Sequence, residues 1–388
     1  MNKFYEGLNR KGTDSIKWDA TGGGLVPFWI ADSDYQTCDM IVNELIKRVE
    51  KLSFGYTFCS EEYYEAIIDW MKRYHNVKLE KEWIVPSVGV VTALYLLVGL
   101  FTKESDEVLV STPVYNPFYN VINNNNRKLS CNKLIETNET YKIDFKDLEE
   151  KMQSAKMYIL CNPHNPIGRC WRKEELDEII KLCKKYDVIL VSDEIHSDII
   201  MEDNKFYSVM NYLLDYEKIV VCTAPSKTFN IAGLETANII IKNTEFKNKF
   251  FKKQQDMSIS TPNLLGLTAC KAAYEYGDKW VSEQNKYLKE NRDLVYDYFK
   301  ENIPLAKVYK LEGTYLMWIN LKFLGLTQDE IINGLKEEGI LVNSGEVYSN
   351  DYIGYIRFNI ACGRKQLLLG LEAIKRFVQK NLRKWIIS

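Results

Sequence analysis

Short runs of β-branched and aliphatic residues alternate with helical segments along this sequence, and this alternation limits the fold more than any other feature. The runs lie at residues 83–86, 108–111, 156–161, 188–193 and 219–222. Apolar residues at helical spacing predict helices at 39–52, 61–75, 173–185 and from residue 93 onward. Strands that alternate with helices form a mostly parallel sheet covered by helices on both faces. The sequence therefore predicts an α/β fold.

A second set of predicted strands follows a long charged helical stretch near residues 278–303. These strands lie near 307–311, 315–321, 339–342 and 355–360, and a predicted helix at 366–382 comes after them. A chain of 388 residues is long enough for two hydrophobic cores. We therefore predict a large domain at 39–280 and a smaller α/β domain at 281–388.

Charge and cysteine usage argue against several classes of protein. The net charge of −2 provides no basic surface for nucleic acid or an anionic membrane, and the longest apolar stretch, at 93–101, is too short to cross a bilayer. The nine cysteines are scattered, without the paired spacing of a metal site, and free thiols are typical of a reducing compartment. Residues 1–11 lack the apolar core of a signal peptide. We expect a cytoplasmic protein that binds no nucleic acid, membrane or metal.

Lys227 follows one of the predicted strands. The β-branched run at 218–222 breaks at Pro225, which leaves Lys227 just beyond the strand end, where α/β sheets open their ligand crevice. Small and apolar neighbours remove water from an amine, and this favours the neutral form that attacks a carbonyl. A lone Ser-Lys pair is more often part of a surface loop. The surrounding segment is therefore needed to distinguish a reactive lysine from a surface lysine.

That segment reads Ala-Pro-Ser-Lys-Thr-Phe-Asn-Ile-Ala-Gly-Leu at residues 224–234, and it closely resembles the lysine segment of fold-type I pyridoxal phosphate (PLP) enzymes, the aspartate aminotransferase superfamily. The resemblance implies that PLP is the cofactor and that Lys227 is the catalytic lysine that binds it. It also implies a fold-type I architecture, in which the N-terminal segment, here 1–38, packs with the smaller domain.

The run Ser-Asp-Glu-Ile-His-Ser-Asp at 192–198 resembles the superfamily's aspartate segment. By this resemblance Asp193 is a catalytic residue that keeps the pyridine nitrogen of the cofactor protonated. His196 takes a position near the phenolate oxygen, where many relatives have a tyrosine. An aspartate at the end of a strand is also a common helix N-cap, so the residue alone leaves both interpretations open.

Two further motifs resemble the parts of the superfamily that hold the PLP ring. Asn165 lies in Asn-Pro-His-Asn-Pro-Ile-Gly-Arg at 162–169 and corresponds to the donor to the phenolate oxygen. Tyr115, which follows the run at 108–111, corresponds to the catalytic aromatic residue that stacks on the pyridine. Without the resemblance, a proline-rich turn and a core tyrosine are the more common interpretations.

A phosphate site is predicted where the run at 83–86 leads through Ser-Val-Gly-Val-Val-Thr into an apolar helix. Unpaired backbone N–H groups at a helix start bind anions, so Gly89, Val90 and Val91 are the predicted cradle. A single glycine makes this signal weak by itself.

The resemblance adds two phosphate ligands and one departure. Tyr56 resembles a tyrosine that reaches the phosphate of the partner subunit, which implies a homodimer with a shared active site. Many transaminases carry a phosphate-binding arginine eight positions after the lysine, but this chain has Glu235 there. We expect Glu235 to point away from the phosphate, and Ser226 and backbone donors to take over that role.

Arg357 is the predicted anchor for the substrate carboxylate. It lies inside a β-run, where an unpaired arginine is costly and a bidentate carboxylate would compensate for its burial. The superfamily places its carboxylate-binding arginine in the same motif, and it implies that Ala31 and Asn165 also contact the substrate. Arg364 is expected to be a surface residue at a helix start.

Several motifs together resemble one branch, the MalY/PatB-type cystathionine β-lyases. They are Lys-Trp-Asp at 17–19, Trp-Ile-Ala-Asp-Ser-Asp-Tyr at 29–35, Ser-Phe-Gly-Tyr-Thr at 53–57 and the lysine segment. Ser33 and Tyr35 replace the usual methionine and phenylalanine of the second motif.

The resemblance implies a carbon–sulfur β-lyase that cleaves L-cystathionine or a related S-substituted cysteine to a thiol, pyruvate and ammonia. An aminotransferase would use the same residues and remains the alternative. A non-catalytic protein with this fold is a third possibility, disfavoured because the lysine and its partners are all present.

Overall fold

A computed structural model describes residues 3–20 and 24–387, with side chains up to residue 382. Residues 1, 2 and 21–23 of the predicted N-terminal segment therefore lie outside the described residues. The α helices are α1 (Lys3–Glu6), α2 (Asp39–Val49), α3 (Glu61–His75), α4 (Val90–Phe101), α5 (Pro117–Asn124), α6 (Phe145–Met152), α7 (Lys173–Tyr186), α8 (Thr244–Asp256), α9 (Leu264–Tyr276), α10 (Asp278–Asn302), α11 (Gln328–Glu337) and α12 (Arg364–Ile387).

The strands are β1 (Val26–Pro27), β2 (Ile84–Ser87), β3 (Glu107–Thr112), β4 (Lys128–Lys133), β5 (Ile135–Glu136), β6 (Tyr141–Lys142), β7 (Ala155–Cys161), β8 (Ile189–Asp193), β9 (Ile219–Thr223), β10 (Ala237–Ile241), β11 (Lys307–Val308), β12 (Leu316–Asn320), β13 (Ile340–Leu341), β14 (Asn343–Ser344) and β15 (Tyr355–Asn359). Short 3-10 helices lie at Lys81–Trp83, Val209–Tyr212, Ala232–Leu234, Lys322–Leu324, Gly345–Tyr348 and Asn350–Tyr352.

The larger sheet has seven strands in the order β2-β10-β9-β8-β7-β3-β4. The pairs from β9 to β4 are parallel, whereas β10 runs antiparallel to both of its neighbours. In register, Cys161 of β7 lies beside Asp193 of β8, which lies beside Cys222 of β9. The prediction of a mostly parallel sheet is confirmed, and the carboxyl ends of its central strands lie together at one edge.

Both faces of this sheet are buried. Successive side chains of β8 point to opposite faces: Leu190 packs in the same cluster as Leu176 of α7, whereas Val191 packs in the same cluster as Leu94 of α4. Burial on both faces explains why the central strands are continuous apolar runs rather than alternating ones. This sandwich of helices and sheet makes a rigid support for the residues at the strand ends.

A second sheet has the order β11-β12-β15-β14, and every pair in it is antiparallel. Within it Arg357 of β15 lies between Trp318 of β12 and Asn343 of β14. The N-terminal strand β1 pairs in parallel with β13, at Val26 with Ile340. The segment before α2 thus contacts the part of the chain that carries the second sheet, while the domain boundaries at 38 and 280 stay a prediction.

Several predicted elements differ from the structure. Helix α4 begins at Val90 rather than at residue 93, because tertiary packing overrides the β propensity of two consecutive valines. The predicted strand at 339–342 divides into β13 and β14, which pair with different strands. Strands β4 and β10 were not predicted, and none of the described helices is long and apolar enough to cross a membrane.

Candidate active site

A cavity of about 250 Å³ lies where β7, β8 and β9 end and α4 begins. Ten of the twelve predicted site residues line it, and Tyr56 and Arg357 do not. Its lining residues are Ala31, Val88, Gly89, Val90, Val91, Thr92, Tyr115, Cys161, Asn165, Asp193, Ile195, His196, Ala224, Ser226, Lys227, Ala232, Glu235 and Thr236. The carboxyl ends of parallel strands are where α/β proteins bind ligands, so this cavity lies where a ligand site is expected.

Lys227 lies four residues beyond the end of β9. Its Nζ donates a hydrogen bond of 2.8 Å to the carbonyl oxygen of Ala31 in the N-terminal segment. Burial lowers the pKa of Lys227, against the opposing charge of Asp32, while the charge of Arg357 lowers it further. A lowered pKa enlarges the neutral fraction of the amine, which is the form that acts as nucleophile or base.

Asp193 is the last residue of β8, and its carboxyl is buried. Its Oδ1 accepts a hydrogen bond of 3.1 Å from the backbone N–H of Ile195. Burial raises the pKa of Asp193 to about 6, against the effects of that N–H and of Lys227. A cationic group in the cavity would stabilise the ionised carboxylate and reverse this rise.

His196 lies on the same cavity wall and is also buried. Burial, followed by the charges of Lys227 and Arg357, lowers the pKa of His196 to about 3, so the imidazole is neutral at neutral pH. Its Nδ1 is buried and has no hydrogen-bond partner among the described residues. A buried ring nitrogen in this state is available to a ligand.

Arg357 is 3% exposed and contacts the cavity wall through Asn165. Its Nη1 donates to Oδ1 of Asn165 at 3.1 Å, and its Nη2 donates to the carbonyl oxygen of Trp29. Its Nε is buried without a partner, and no carboxylate of the described residues forms an ion pair with this guanidinium. Because a buried charge is costly unless it is paired, Arg357 has the electrostatics of an anchor for an external carboxylate.

The helix start at Val90 also lines the cavity. Gly89 adopts a left-handed conformation with φ of 91°, and a Cβ built on it would meet no atom within 4 Å. The first N–H groups of an α helix have no intrahelical partner, so the backbone at Gly89, Val90 and Val91 can donate to an anion. The hydroxyl-bearing residues Thr92 and Thr236, which no motif of the sequence indicates, line the same cavity.

Glu235 also lines the cavity, as an exposed residue with a left-handed backbone at φ of 44°. Among the described residues, Lys227 is the only lysine or arginine on this wall. The charge of a bound phosphate would therefore be balanced mainly by backbone donors and hydroxyl groups. The expectation that Glu235 points away from the phosphate stays a prediction.

Two predicted tyrosines lie in different places, and the assignment of Tyr56 to the phosphate of a partner subunit stays a prediction. Tyr56 is fully exposed in a segment without regular structure and does not line the cavity of its own chain. Tyr115 does line it, and burial followed by the charge of Asp193 raises the pKa of the Tyr115 hydroxyl to about 12, which keeps it protonated.

A charged network that no single motif predicts supports the segment around Ala31. Lys17 donates to Asp34 at 2.8 Å, with both side chains almost fully buried, and Arg10 donates to Asp32 at 2.7 Å. Lys17 also donates to the carbonyl oxygen of Asp32 at 2.8 Å. These bonds fix the backbone that presents the Ala31 carbonyl to Lys227. The motifs at 17–19 and 29–35 contained the signal, but only their contact in space shows its use.

The residues of this cavity fit PLP. A covalent site for the cofactor requires a lysine of lowered pKa, and Lys227 meets it. A buried acid, Asp193, and a neutral imidazole with a free nitrogen, His196, lie on the same wall. The open space at Gly89 beside a helix start provides room and donors for a phosphate.

Comparisons with known proteins agree with this geometry. Residues 32–374 match the family described as Aminotransferase class I and II. The chain is 37% identical over 381 residues to the cystathionine β-lyase PatB of Bacillus subtilis strain 168, with 96% of this chain and 98% of the relative covered.

Solved structures show the same likeness. The chain resembles cystalysin from Treponema denticola, a structure that contains a pyridoxal 5'-phosphate cofactor, with a TM-score of 0.93, 34% identity, and 98% of this chain and 99% of the other covered. It also resembles the PLP-bound C–S lyase from Staphylococcus hominis, with a TM-score of 0.91, 33% identity and 97% of each chain covered.

Proposed function

This chain belongs to the aminotransferase class I and II family, as a PLP-dependent carbon–sulfur lyase of fold type I, and we propose that it releases a thiol, pyruvate and ammonia from L-cystathionine or a related S-substituted cysteine. The observation that carries the proposal is that Lys227, whose pKa is lowered by burial, lines the same cavity as Asn165, which accepts a hydrogen bond from the buried and carboxylate-free guanidinium of Arg357. Such a site can hold an amino acid by its α-carboxylate and remove its α-proton.

PLP, when bound, supplies an electron-poor ring that accepts the negative charge left on the α-carbon after its proton is removed. Asp193 is proposed to keep that ring protonated, since a cationic partner would stabilise its buried carboxylate. Neutral His196 adds no positive charge to the wall. Asn165 and Tyr115 are proposed to orient the ring.

Lys227 is proposed to take the α-proton of the substrate. Its amine lies against the Ala31 carbonyl, which orients it without neutralising it. The carbon–sulfur bond then breaks, and its electron pair leaves with the sulfur as a thiolate, which takes up a proton. Water converts the remaining three-carbon fragment into pyruvate and ammonia, so the products of L-cystathionine are homocysteine, pyruvate and ammonia. No second substrate is needed.

The lack of a second carboxylate anchor among the described cavity residues favours elimination over transamination of dicarboxylic acids. A transaminase for dicarboxylic acids requires an anchor for a second carboxylate. Arg10, the one arginine in the sequence of residues 1–38, is already paired with Asp32 at 2.7 Å. In the part of the chain that the structure describes, no lysine or arginine other than Lys227 lines the cavity.

The proposal is tested by product analysis of the PLP-loaded enzyme with L-cystathionine, once alone and once with an added keto acid. Equal amounts of pyruvate, free thiol and ammonia without keto acid support the lyase. Turnover that requires the keto acid would make the protein an aminotransferase instead. The Lys227→Ala variant is the control for reactions that free PLP performs by itself.

We also propose that the enzyme is a homodimer whose partner supplies Tyr56 to the phosphate. Leu52, Phe54, Tyr56 and Phe58 are all exposed along one segment. An exposed apolar cluster of this kind is typical of an interaction surface. Among the described residues Tyr115 is the only tyrosine that lines the cavity, so a second tyrosine at the phosphate would have to come from another chain.

Complementation between variants tests the shared site. Tyr56→Ala and Lys227→Ala are each expected to be nearly inactive, but a heterodimer would contain one intact site. With random pairing, about a quarter of all sites should be active. The pair Lys227→Ala with Asp193→Ala is the matched control, since both residues belong to the same chain's cavity and cannot complement. Activity no higher than that of the separate variants would contradict the shared site.

We further propose a cytoplasmic location for the protein and a division of the chain into two units. All nine cysteines are free, which suits a reducing compartment such as the cytoplasm. The pairing of β1 with β13 supports a unit that joins residues 1–38 to 281–388, beside a larger unit at 39–280. Limited proteolysis that cuts within either unit before it cuts between them would contradict this division.

A further inference from the structure

Asp198 is a buried carboxylate beside the lysine segment that lies outside the cavity and has no role in the proposed reaction. Four groups donate hydrogen bonds to it. Its Oδ1 accepts from Nε1 of Trp70 at 3.0 Å and contacts Nε2 of His75 at 2.8 Å. Its Oδ2 accepts from Oγ1 of Thr228 at 3.0 Å, and its carbonyl oxygen accepts from Nδ2 of Asn285 at 2.8 Å.

Asp198 matters to the active site because it accepts a hydrogen bond from Thr228. Thr228 is fully buried and directly follows Lys227 in the chain. The turn around the lysine is closed by a backbone bond of 2.9 Å from the N–H of Phe229 to the carbonyl of Pro225. The bond from Thr228 to Asp198 attaches this turn to the protein interior.

Asp198 lies in the loop that follows Asp193 and carries the imidazole of His196. The loop follows β8, and backbone bonds from Ser197 to Glu194 and from Ile199 to His196 hold it in a compact form. Asp193, the last residue of β8, and His196, in this loop, both line the cavity. Asp198 therefore joins the loop to the turn that carries Lys227.

The network is also fixed to the helices behind it. Trp70 and His75 lie on α3, and Asn285 lies on α10. The side chains of His75 and Asp198 are only 3% and 4% exposed. Hydrogen bonds to a charged group are stronger than those between neutral groups, and a buried carboxylate that loses one of its donors is left poorly satisfied. This arrangement resists motion of Thr228 relative to the loop.

We propose that Asp198 is a positioning residue that, through Thr228, fixes the amine of Lys227 relative to Asp193 and His196. The inference rests on Lys227 as the cofactor-binding lysine of the proposed function, and it holds for either fate of the substrate. Loss of the hydrogen bond from Thr228 to Asp198 should retain all the groups of the site but make the distances from Lys227 to Asp193 and His196 more variable.

The test compares Thr228→Val, which keeps the shape of the side chain and loses the donor, with Thr228→Ser, which keeps the donor. Thr228→Val is expected to lower kcat/KM about 10- to 100-fold, as for the loss of a hydrogen bond to a charged group. It should also reduce the visible circular dichroism per bound cofactor, a signal that reports how rigidly PLP is oriented. Thr228→Ser should retain most of both, and Thr268→Val on α9 is the control for the same substitution elsewhere.

Two results would overturn the inference. One is a Thr228→Val enzyme that folds and keeps both signals within about twofold of the native enzyme; the other is a Thr228→Ser enzyme that loses as much as Thr228→Val. If Thr228→Val does not fold, His75→Phe removes a different contact of Asp198 without touching the lysine segment, and unchanged signals there would likewise overturn it. The dichroism needs no lyase activity, so failure of the proposed reaction is recognised separately, by absence of pyruvate from the native enzyme.

Discussion

Replacement of Arg357 by lysine tests the substrate anchor most sharply, because it keeps the positive charge and changes only its geometry. The native guanidinium spans two fixed acceptors, Oδ1 of Asn165 and the carbonyl of Trp29. A lysine at this position has a compact ammonium group that cannot bind both acceptors and a carboxylate in one plane. The variant is therefore expected to bind substrate poorly while the cofactor residues stay in place.

The magnitude follows from burial. Arg357 is 3% exposed and has a buried Nε without a partner. A desolvated, charge-assisted contact that is lost in such a site costs about 2–4 kcal/mol. Since 1.36 kcal/mol corresponds to a factor of ten in rate, kcat/KM should fall roughly 30- to 900-fold.

The assay is steady-state release of pyruvate from L-cystathionine, together with the PLP content of the purified enzyme. PLP content should equal that of the native enzyme. Arg376→Lys is the matched control, since that arginine is half exposed and pairs with Glu338 at the surface; surface pairs contribute about 0–1 kcal/mol. A fall of less than about threefold for Arg357→Lys would show that the carboxylate anchor lies elsewhere.

Two further predictions concern stability. Gly168→Ala should destabilise the fold by about 1–3 kcal/mol, because this glycine has a φ of +68° and a Cβ would lie 2.4 Å from Cδ1 of Leu311; thermal unfolding measures this, with Gly233→Ala, whose Cβ would meet nothing within 4 Å, as the neutral control. In the cofactor-free chain, burial raises the pKa of Asp193 from 3.8 to about 6, so the native state binds more protons than the unfolded state between these values and this carboxyl costs stability as pH rises. Relative to the native chain, the free energy of unfolding of Asp193→Asn, measured in urea, should therefore rise by roughly 2–3 kcal/mol between pH 4 and pH 7. A difference between the two chains that does not change with pH would contradict a buried carboxyl at this position.

The sequence was informative where chemistry and local pattern coincide. Asp193 ends an apolar run that is a parallel strand in the structure, and Asn165 and Lys227 follow two other such runs. Because parallel strands present their carboxyl ends at one edge, the three residues had to meet. The resemblance to PLP enzymes then supplied their roles.

The rest depended on contacts that no local pattern encodes. Strand β1 pairs with β13 more than 300 positions later, and this pairing brings the Ala31 carbonyl to Lys227. Strand β10 is an apolar run like its neighbours, and its antiparallel direction follows from the course of the chain rather than from its residues.

Exposure and buried networks were also out of reach of the sequence. The sequence alone does not indicate that Tyr56 is fully exposed in its own chain, which is where a residue that reaches a partner subunit would lie. Asp198 was only one letter of a motif, and its position between Trp70, His75 and Thr228 became visible in three dimensions. Such side chains are far apart in sequence and meet only after the helices pack.

The central claim is that Lys227 is the lysine that holds PLP in this cavity. The direct measurement is borohydride reduction of the PLP-loaded enzyme, followed by proteolysis and mass spectrometry of the labelled peptide. We expect a loss of visible absorbance and a phosphopyridoxyl group on Lys227, with no label in Lys227→Ala. A label on a different lysine of the native enzyme, or reducible cofactor retained by Lys227→Ala, would contradict it.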